Sequence, residues 1–514
     1  MKKIIKYLFL LTGGSFILAS CNDFLDREPL DSVTPDNFFF TENDLAAYAV
    51  KHYNFTTHEG FNAGIWKNDN ATDNQAATDY DKKWIPGQWK VPEAYDNPAS
   101  NDPWYFSTIR EANYFLETVV PRFEKGEIEG SETNIKHYIG EMYFLRAKNY
   151  LSKLETFGDF PIIKNTLPDE SESLIQASKR APRYKVAHFI LEDLDQAISL
   201  LTNNISGGKN RITKNAALLL KSRAALFEAS WLTYHKGTAL VPGGPGWPGK
   251  AEDIADFNID TEIAFFLKEA KAAAKEVIGN AALVQNTAKD CMDETVKTDE
   301  DKYKMSNPYF AQFSANSLEG YSEILMWRAY NLLDYKIVHS APFYIRVGGN
   351  TGFTRQYVES FLCRDGKPIY ATDQYKGDES LLNVRKNRDL RLQLFLMTPG
   401  ETLSPNVMNG TPDLLPEVPQ LLDITEKRCV TGYQVRKGLS GNWYRDGNTA
   451  IEGCPVYRAA EAYLNYIEAD CMEHNGTSIG SEAAGYWGDL RERAGLPRDY
   501  TVTVNLSLIH ISEP

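Results

Sequence analysis

Apolar residues recur at helical spacing along much of the chain. In Gly140–Pro161, GEMYFLRAKNYLSKLETFGDFP, Phe144, Ala147, Leu151 and Leu154 follow at steps of three, four and three. That spacing puts them on one face of an α-helix running from about residue 131. Small Ala147 lets a second helix come close. Gly158 is placed to end the helix and Pro161 to keep it from restarting. Similar stripes predict partners. Trp104, Ile109 and Phe115 mark a helix over 102–120, and Val186, Ile190, Leu194, Ala197 and Leu201 mark one over 182–202. Thr213 is an N-cap for Lys214–Trp231, striped by Ala217, Leu220, Ala224, Phe227 and Trp231. Further helices are expected over 43–55, 260–279, Val456–Met472 and roughly 480–494. In Val456–Met472 the stripe is Val456, Ala460, Tyr463, Ile467 and Cys471. Ile324–Trp327 fits a short buried strand or a helix end.

One amphipathic helix cannot bury its stripe alone. Helices paired through small alanines with short connections predict a mainly α fold, an α-solenoid of tetratricopeptide type, although the consensus repeat is absent. The helix pairs fall mainly in 102–279 and 456–494. Between and before them lie loop-rich stretches, 60–101 and 283–450. Long loops in compact domains are often functional.

Those loops carry aromatic residues beside Asn, Asp and Arg. Tyr, Trp and Phe make up 12% of the chain, with 28 Tyr and 9 Trp. Sugars present apolar C–H faces between hydroxyls, so an aromatic platform with a polar rim suits them. The candidate platforms are Trp66, Trp84, Trp89 and Trp247, with Tyr303 and Tyr309 behind them. Asn68, Asp69 and Asn70 are candidate rim partners. The same tryptophans would also serve to pin loops onto the helices. They lie outside the helical stripes, so the fold is expected to survive the loss of a true platform.

Charge and motifs narrow the function. Asp plus Glu number 69 and Lys plus Arg 55, a formal net charge of −14. That argues against nucleic acid and against long polyanions unless a local basic patch exists. No GxSxG, HExxH or CxxC pair occurs, and the eight histidines are scattered. No catalytic residue, metal or cofactor is expected. Gly244–Lys250 imitates a phosphate-binding loop, but Ala251 stands where the hydroxyl is needed and Pro245 and Pro248 lack N–H groups. The loop instead presents Trp247. The run Asp69–Asn74 lacks the alternation of a calcium loop and reads as a solvated turn.

The chain opens on a leader, residues 1–20. Lys2, Lys3 and Lys6 precede an apolar stretch, Tyr7–Leu18, too short and glycine-interrupted to span a membrane. It closes on Leu18-Ala19-Ser20-Cys21, which resembles a bacterial lipobox cleaved before Cys21 and lipidated on it. The alternative is a plain signal peptide with a chance cysteine. Cys291, Cys363, Cys429, Cys454 and Cys471 are expected to be mostly free, buried thiols.

Seven stretches in order carry a family resemblance. They are CNDFLDREPLDSVTPDNFF at Cys21, WYFSTIREANYFLETV at Trp104, the Gly140–Pro161 stretch, RITKNAALLLKSRAALFEAS at Arg211, NRDLRLQLFLMTPG at Asn387, CPVYRAAEAYLNYIEAD at Cys454 and LRERAGLP at Leu490. Together they resemble the SusD/RagB family of outer-membrane nutrient-binding lipoproteins. The resemblance implies a SusD-like domain over 21–506, no enzymatic activity, and capture of an oligosaccharide ligand at the cell surface. It also implies a lipid anchor in the outer membrane and a role as lid on a SusC-like TonB-dependent transporter. Family members usually continue past the RAGLP motif. Here the last residues, LSLIHISEP, show no helical stripe or cap, so 507–514 is expected to be a non-native tail. Two other classes stay open: a surface glycoside hydrolase, and a helical-repeat adaptor that binds protein.

Overall fold

The computed structural model describes residues 38–59, 63–70, 72–82, 85–88, 102–287, 307–334, 336–399, 402–404, 413–414, 419–440 and 448–511. It is mainly α. The long helices are α1 (Glu42–Lys51), α2 (Ser107–Glu124), α3 (Glu132–Phe157), α4 (Arg183–Leu200), α5 (Lys214–Tyr234), α6 (Ile259–Asn280), α7 (Ala460–Glu473) and α8 (Ser481–Arg493). Helices α1 and α2 pack on α3, and from α3 to α8 each helix packs on the next. This is the stacked arrangement that paired amphipathic helices favour.

The boundaries follow local chemistry. Thr213 accepts a hydrogen bond from the Ala216 N–H at 3.2 Å and so caps α5. Gly158, at φ 71°, ends α3. Gly140 sits where a Cβ would stand 3.0 Å from Leu201 and 3.1 Å from Leu200. Its bare backbone lets α3 meet the end of α4. Alanines do the same elsewhere: Ala217, Ala224, Ala270, Ala273 and Ala274 are all buried.

Ion pairs also run through this stack. Arg146 on α3 holds Asp193 on α4 through two bonds of 2.7 Å. Arg183 at the start of α4 holds Glu228 on α5 at 2.7 Å, with Glu228 fully buried. Glu141 on α3 accepts from Arg211 at 2.6 and 2.8 Å.

The last helix pair is fastened differently. Glu482 on α8 accepts from Lys275 on α6 at 3.0 Å, from Tyr466 on α7 at 2.8 Å and from Tyr486 at 2.9 Å. These donors, Lys275 foremost, hold its carboxyl down to about 2. A depressed carboxyl contributes stability above its unfolded value and loses it as pH falls through the folded one. Glu482→Gln should therefore lower the denaturation midpoint at pH 7, and the gap from the parent should close as pH approaches 2. A pH-independent gap in urea titrations would refute this.

The strands are short. Antiparallel pairs join β1 (Gln75–Ala77) to β3 (Thr351–Phe353), β2 (Ile324–Arg328) to β6 (Cys454–Arg458), and β4 (Thr402–Ser404) to β5 (Asp413–Leu414). Thus Ile324–Trp327 is strand rather than helix end. The expected helix Val456–Met472 needs correction: its start is β6, and helix begins only at Ala460. Residues 454–458 pair with β2, with Trp327 opposite Pro455 and Met326 opposite Tyr457. A proline is tolerated because neither strand of a two-stranded ribbon is central. Thr501–Ile511 is helical, α9, with the Asp499 carboxylate accepting from the Thr501 N–H at 2.9 Å.

Between α6 and α7, short helices replace long ones: Pro308–Ala311, Ala341–Val347, Arg355–Ser360, Leu381–Arg385 and Leu390–Phe395. They bury a second core around Trp66, Tyr309, Phe310, Phe313, Leu394 and Phe395. Cys363, Cys429 and Cys454 are free and buried, and Cys471 is free and half-buried; Cys291 lies outside the described residues. No described helix is long and apolar enough to cross a membrane.

Candidate functional site

A cavity of about 370 Å³ opens where the second core meets β6 and α7. That size lies within the range of small-molecule sites. Three segments far apart in sequence build it.

The first is the loop around Trp66. Gly64, at φ 134°, turns the chain into the helical turn Ile65–Lys67. The Trp66 indole donates to the Ala63 carbonyl at 3.2 Å. Gly349, at φ 57°, lies so close that a Cβ there would overlap the indole ring. Gln75 ties the loop down, donating to the Trp66 carbonyl at 3.0 Å and to Thr351 at 2.8 Å. The Thr351 hydroxyl donates to Asn70 Oδ1 at 2.6 Å.

The second segment supplies aromatic walls. Asn307 caps the turn that carries Tyr309, accepting from its N–H at 3.0 Å. Tyr309, Phe313 and Phe395 meet edge-on or tilted, with centroids 5.6–5.9 Å apart. Tyr357 is flanked by Phe353 at 5.3 Å and Phe361 at 4.9 Å, which fixes its ring. Such contacts preorganise a flat surface.

The third segment brings charge. Arg391 holds its own helix cap, Asp389, at 2.6 Å and lies 5.6 Å over Phe361. Arg458 on β6 pairs with buried Glu323 at 2.8 Å. Glu461 on α7 is held by Arg223 at 2.6 and 2.7 Å. Lys437 stands in the cavity with its ammonium 4.5 Å over Phe313. Lys437 is exposed to the cavity, but the protein packed around its ammonium, with Arg458 beside it, pushes it down to about 8. His58 lines the back wall; burial and neighbouring His339 push it down to about 3, so it is a neutral ring.

Among the residues singled out in the sequence, Trp66, Asp69 and Tyr309 line this cavity. Trp66 and Tyr309 are nonetheless buried in the second core, at 8% and 5% exposure. They are walls as well as packing residues. Loss of the ring at Trp66 is therefore expected to cost stability, because that ring belongs to the second core. Asn70 is committed to Thr351. Asn68 is exposed and does not line the cavity. Trp247 sits elsewhere: its indole donates to Asp159 at 2.8 Å and pins its loop to the turn after α3. Cys21, Trp84, Trp89 and Tyr303 lie outside the described residues.

Sequence reasoning missed Tyr357, Phe361, Arg391, Lys437 and Arg458. Arg391 and Arg458 fall in stretches that carry the family resemblance, NRDLRLQLFLMTPG and CPVYRAAEAYLNYIEAD. That was the available signal for them. Nothing local marks Lys437.

The arrangement suits binding. Among the described residues two carboxylates line the cavity, and one of them, Glu461, is engaged by Arg223. Among the described residues no cluster of three or more His, Cys, Asp or Glu is placed to hold a metal.

A stack of helix pairs carrying a loop-walled aromatic cavity defines a class of helical binding proteins. The comparisons place the chain within it. A family model described as "SusD family" matches residues 296–505, and one described as "Starch-binding associating with outer membrane" matches residues 23–226. The chain belongs to the SusD family. Two SusD-like proteins of Formosa agariphila are 27% and 26% identical over 38% and 49% of this chain. The matches span 37% and 45% of those relatives' own length. Among solved structures, a SusD-like protein of Bacteroides fragilis NCTC 9343 superimposes with TM-score 0.59 and 20% identity, covering 92% of this chain and 82% of that one. A SusD-like carbohydrate-binding protein from the same organism gives TM-score 0.58 and 17% identity, covering 89% and 79%. These likenesses show the shared fold.

Proposed function

We propose that this chain is a glycan-binding protein of the outer membrane, with the Trp66–Tyr309–Tyr357 cavity as its sugar site. The observation that carries the reading is the cavity itself. Fixed aromatic rings form its walls, and Asp69, Arg391 and Lys437 supply acceptors and donors at its edge. Aromatic faces pair with sugar C–H faces while charged groups bond hydroxyls. The family descriptions support the same ligand class and the same membrane.

The finer parts of the proposal rest on the leader and on family membership. Cys21 carries the lipid anchor at the cell surface, the chain is not an enzyme, and it serves as lid to a SusC-like TonB-dependent transporter. A single acyl chain binds membranes only marginally, so more than one is needed for a stable anchor.

The decisive experiment is a glycan-binding screen followed by calorimetry. Binding of at least one oligosaccharide without its hydrolysis is expected. Turnover of the glycan would favour the hydrolase reading; protein capture without any glycan binding would favour an adaptor. For the anchor, Cys21→Ala should release the protein from membranes and abolish lipid labelling. Retention of both would refute lipidation at Cys21.

A further inference from the structure

Two cations converge on one face-bearing ring inside the cavity. Lys437 Nζ lies 4.5 Å from the centre of Phe313, and the Arg458 guanidinium lies 4.8 Å from the same centre. Phe395 lies 5.8 Å from the same ammonium. Their electrostatic situations differ. Arg458 has Glu323 as its counter-ion at 2.8 Å. Arg391 has Asp389 at 2.6 Å. Lys437 has aromatic rings beneath it, but among the described residues no carboxylate lies within ion-pair distance of it. Lys437 is exposed, so its ammonium is open to a ligand that enters the cavity. Nearby Arg458 adds repulsion. With two cations over one ring and no carboxylate bonded to the lysine, a ligand that brings a negative charge would pair with it.

On the reading of this cavity as a sugar site, we propose that it selects a glycan bearing an acidic group, a carboxylate or a sulfate ester, and that Lys437 is the residue that recognises it. The acidic group sits over Phe313 between Lys437 and Arg458. Asp69, exposed on the same lining and with no ion pair among the described residues, attracts the lysine from a distance and accepts hydroxyls of the neutral part of the sugar. The other lining acid, Glu461, is neutralised by Arg223 and does not compete for the lysine. The overall charge of −14 works against a densely charged polyanion. The site therefore takes one charged group at a time, set in a sugar chain held by aromatic walls.

The inference also sets a pH dependence. Arg458, Arg391, Asp69, Glu461 and Glu323 are the charged groups facing or flanking Lys437, and none of the arginines titrates near neutrality. Lys437, pushed down to about 8, does. Below that pH the ammonium is charged and attracts the acid. Preference for the acidic sugar is lost as pH rises through about 8 and beyond, while binding of neutral sugars stays flat.

The test uses the full chain in detergent and matched pairs of probes: oligogalacturonates against their methyl esters, and sulfated carrageenan oligosaccharides against desulfated ones. At pH 7 one acidic member should bind about tenfold or more tighter than its neutral partner, the size of one charge-assisted hydrogen bond. The two pairs distinguish carboxylate from sulfate. Lys437→Met should abolish the preference; Lys437→Arg should keep the preference and remove its loss between pH 8 and 10. Circular dichroism of both variants checks folding, and the arginine variant keeps the test valid if the methionine variant misfolds. Equal affinity within every pair, or a preference that survives Lys437→Met, overturns the inference. If neutral and acidic members bind alike and Tyr357→Ala weakens both, the sugar-site reading stands and only the charge selection falls. If no probe binds, both fall.

Discussion

Glu228→Ala is expected to destabilise the protein by about 3–5 kcal/mol, the usual consequence of removing one partner of a buried ion pair. Glu228 has no solvent exposure, and Arg183 bonds it at 2.7, 3.0 and 3.1 Å. The Arg183 guanidinium also lies 4.2 Å over Trp231, so it is walled in and has no path to water. Truncating the acid strands that cation between α4 and α5. The loss is a large share of the roughly 5–15 kcal/mol that stabilises a typical domain. Urea denaturation followed by circular dichroism measures it. The control is the double replacement Arg183→Met with Glu228→Leu, which should recover most of the loss because a buried pair barely outperforms apolar residues of similar volume. A single variant within about 1 kcal/mol of the parent, or a double variant no better than the single, would show that the pair is not what holds α4 to α5.

Tyr357→Ala is expected to weaken sugar binding by about 1–3 kcal/mol, roughly 5- to 150-fold, while leaving the fold intact. Tyr357 is half-buried, and its backbone is secured independently by the Thr354 cap at 3.1 Å. Its ring lines the cavity, and its hydroxyl makes no hydrogen bond to a described residue. Trp66→Ala should behave differently, because that ring belongs to the second core. Its loss should cost about 3–5 kcal/mol of stability, the range for a buried tryptophan reduced to alanine. Trp66→Phe should keep the fold and test the contact to ligand. Calorimetry against the screened glycan, with thermal melts alongside, separates the two effects. Undiminished binding by Tyr357→Ala would move the sugar site away from this wall.

The contrast between the two halves of the chain explains what the sequence makes legible. Stripes such as Phe144–Ala147–Leu151–Leu154 reveal α3 because helical burial repeats locally, every three or four residues. The Thr213 cap and the Gly158 stop are local for the same reason. Residues 456–458 are read wrongly because their partner, β2, lies some 130 residues upstream and leaves no periodic mark nearby. Trp66 and Tyr309 stand out as aromatics in polar loops, which is enough to flag them. It is not enough to show that both are packed into one core. Lys437, Arg458 and Tyr357 acquire their meaning only from neighbours that the chain brings together in space. Lys437 in particular is defined by a missing partner, and a sequence cannot display one.

The cavity draws its walls from residues 58–75, 309–395 and 435–461, so no single stretch of the unfolded chain holds a partial copy of it. Ligand can therefore bind only molecules in which all three stretches have already met. Mass action then makes the sugar a folding ligand: at a hundred times its Kd, it adds about 2.7 kcal/mol to native stability. A cell rich in a bound ligand would thus hold more intact protein than a starved one, with no change in synthesis. In practice, a rise in melting temperature identifies the glycan without any label.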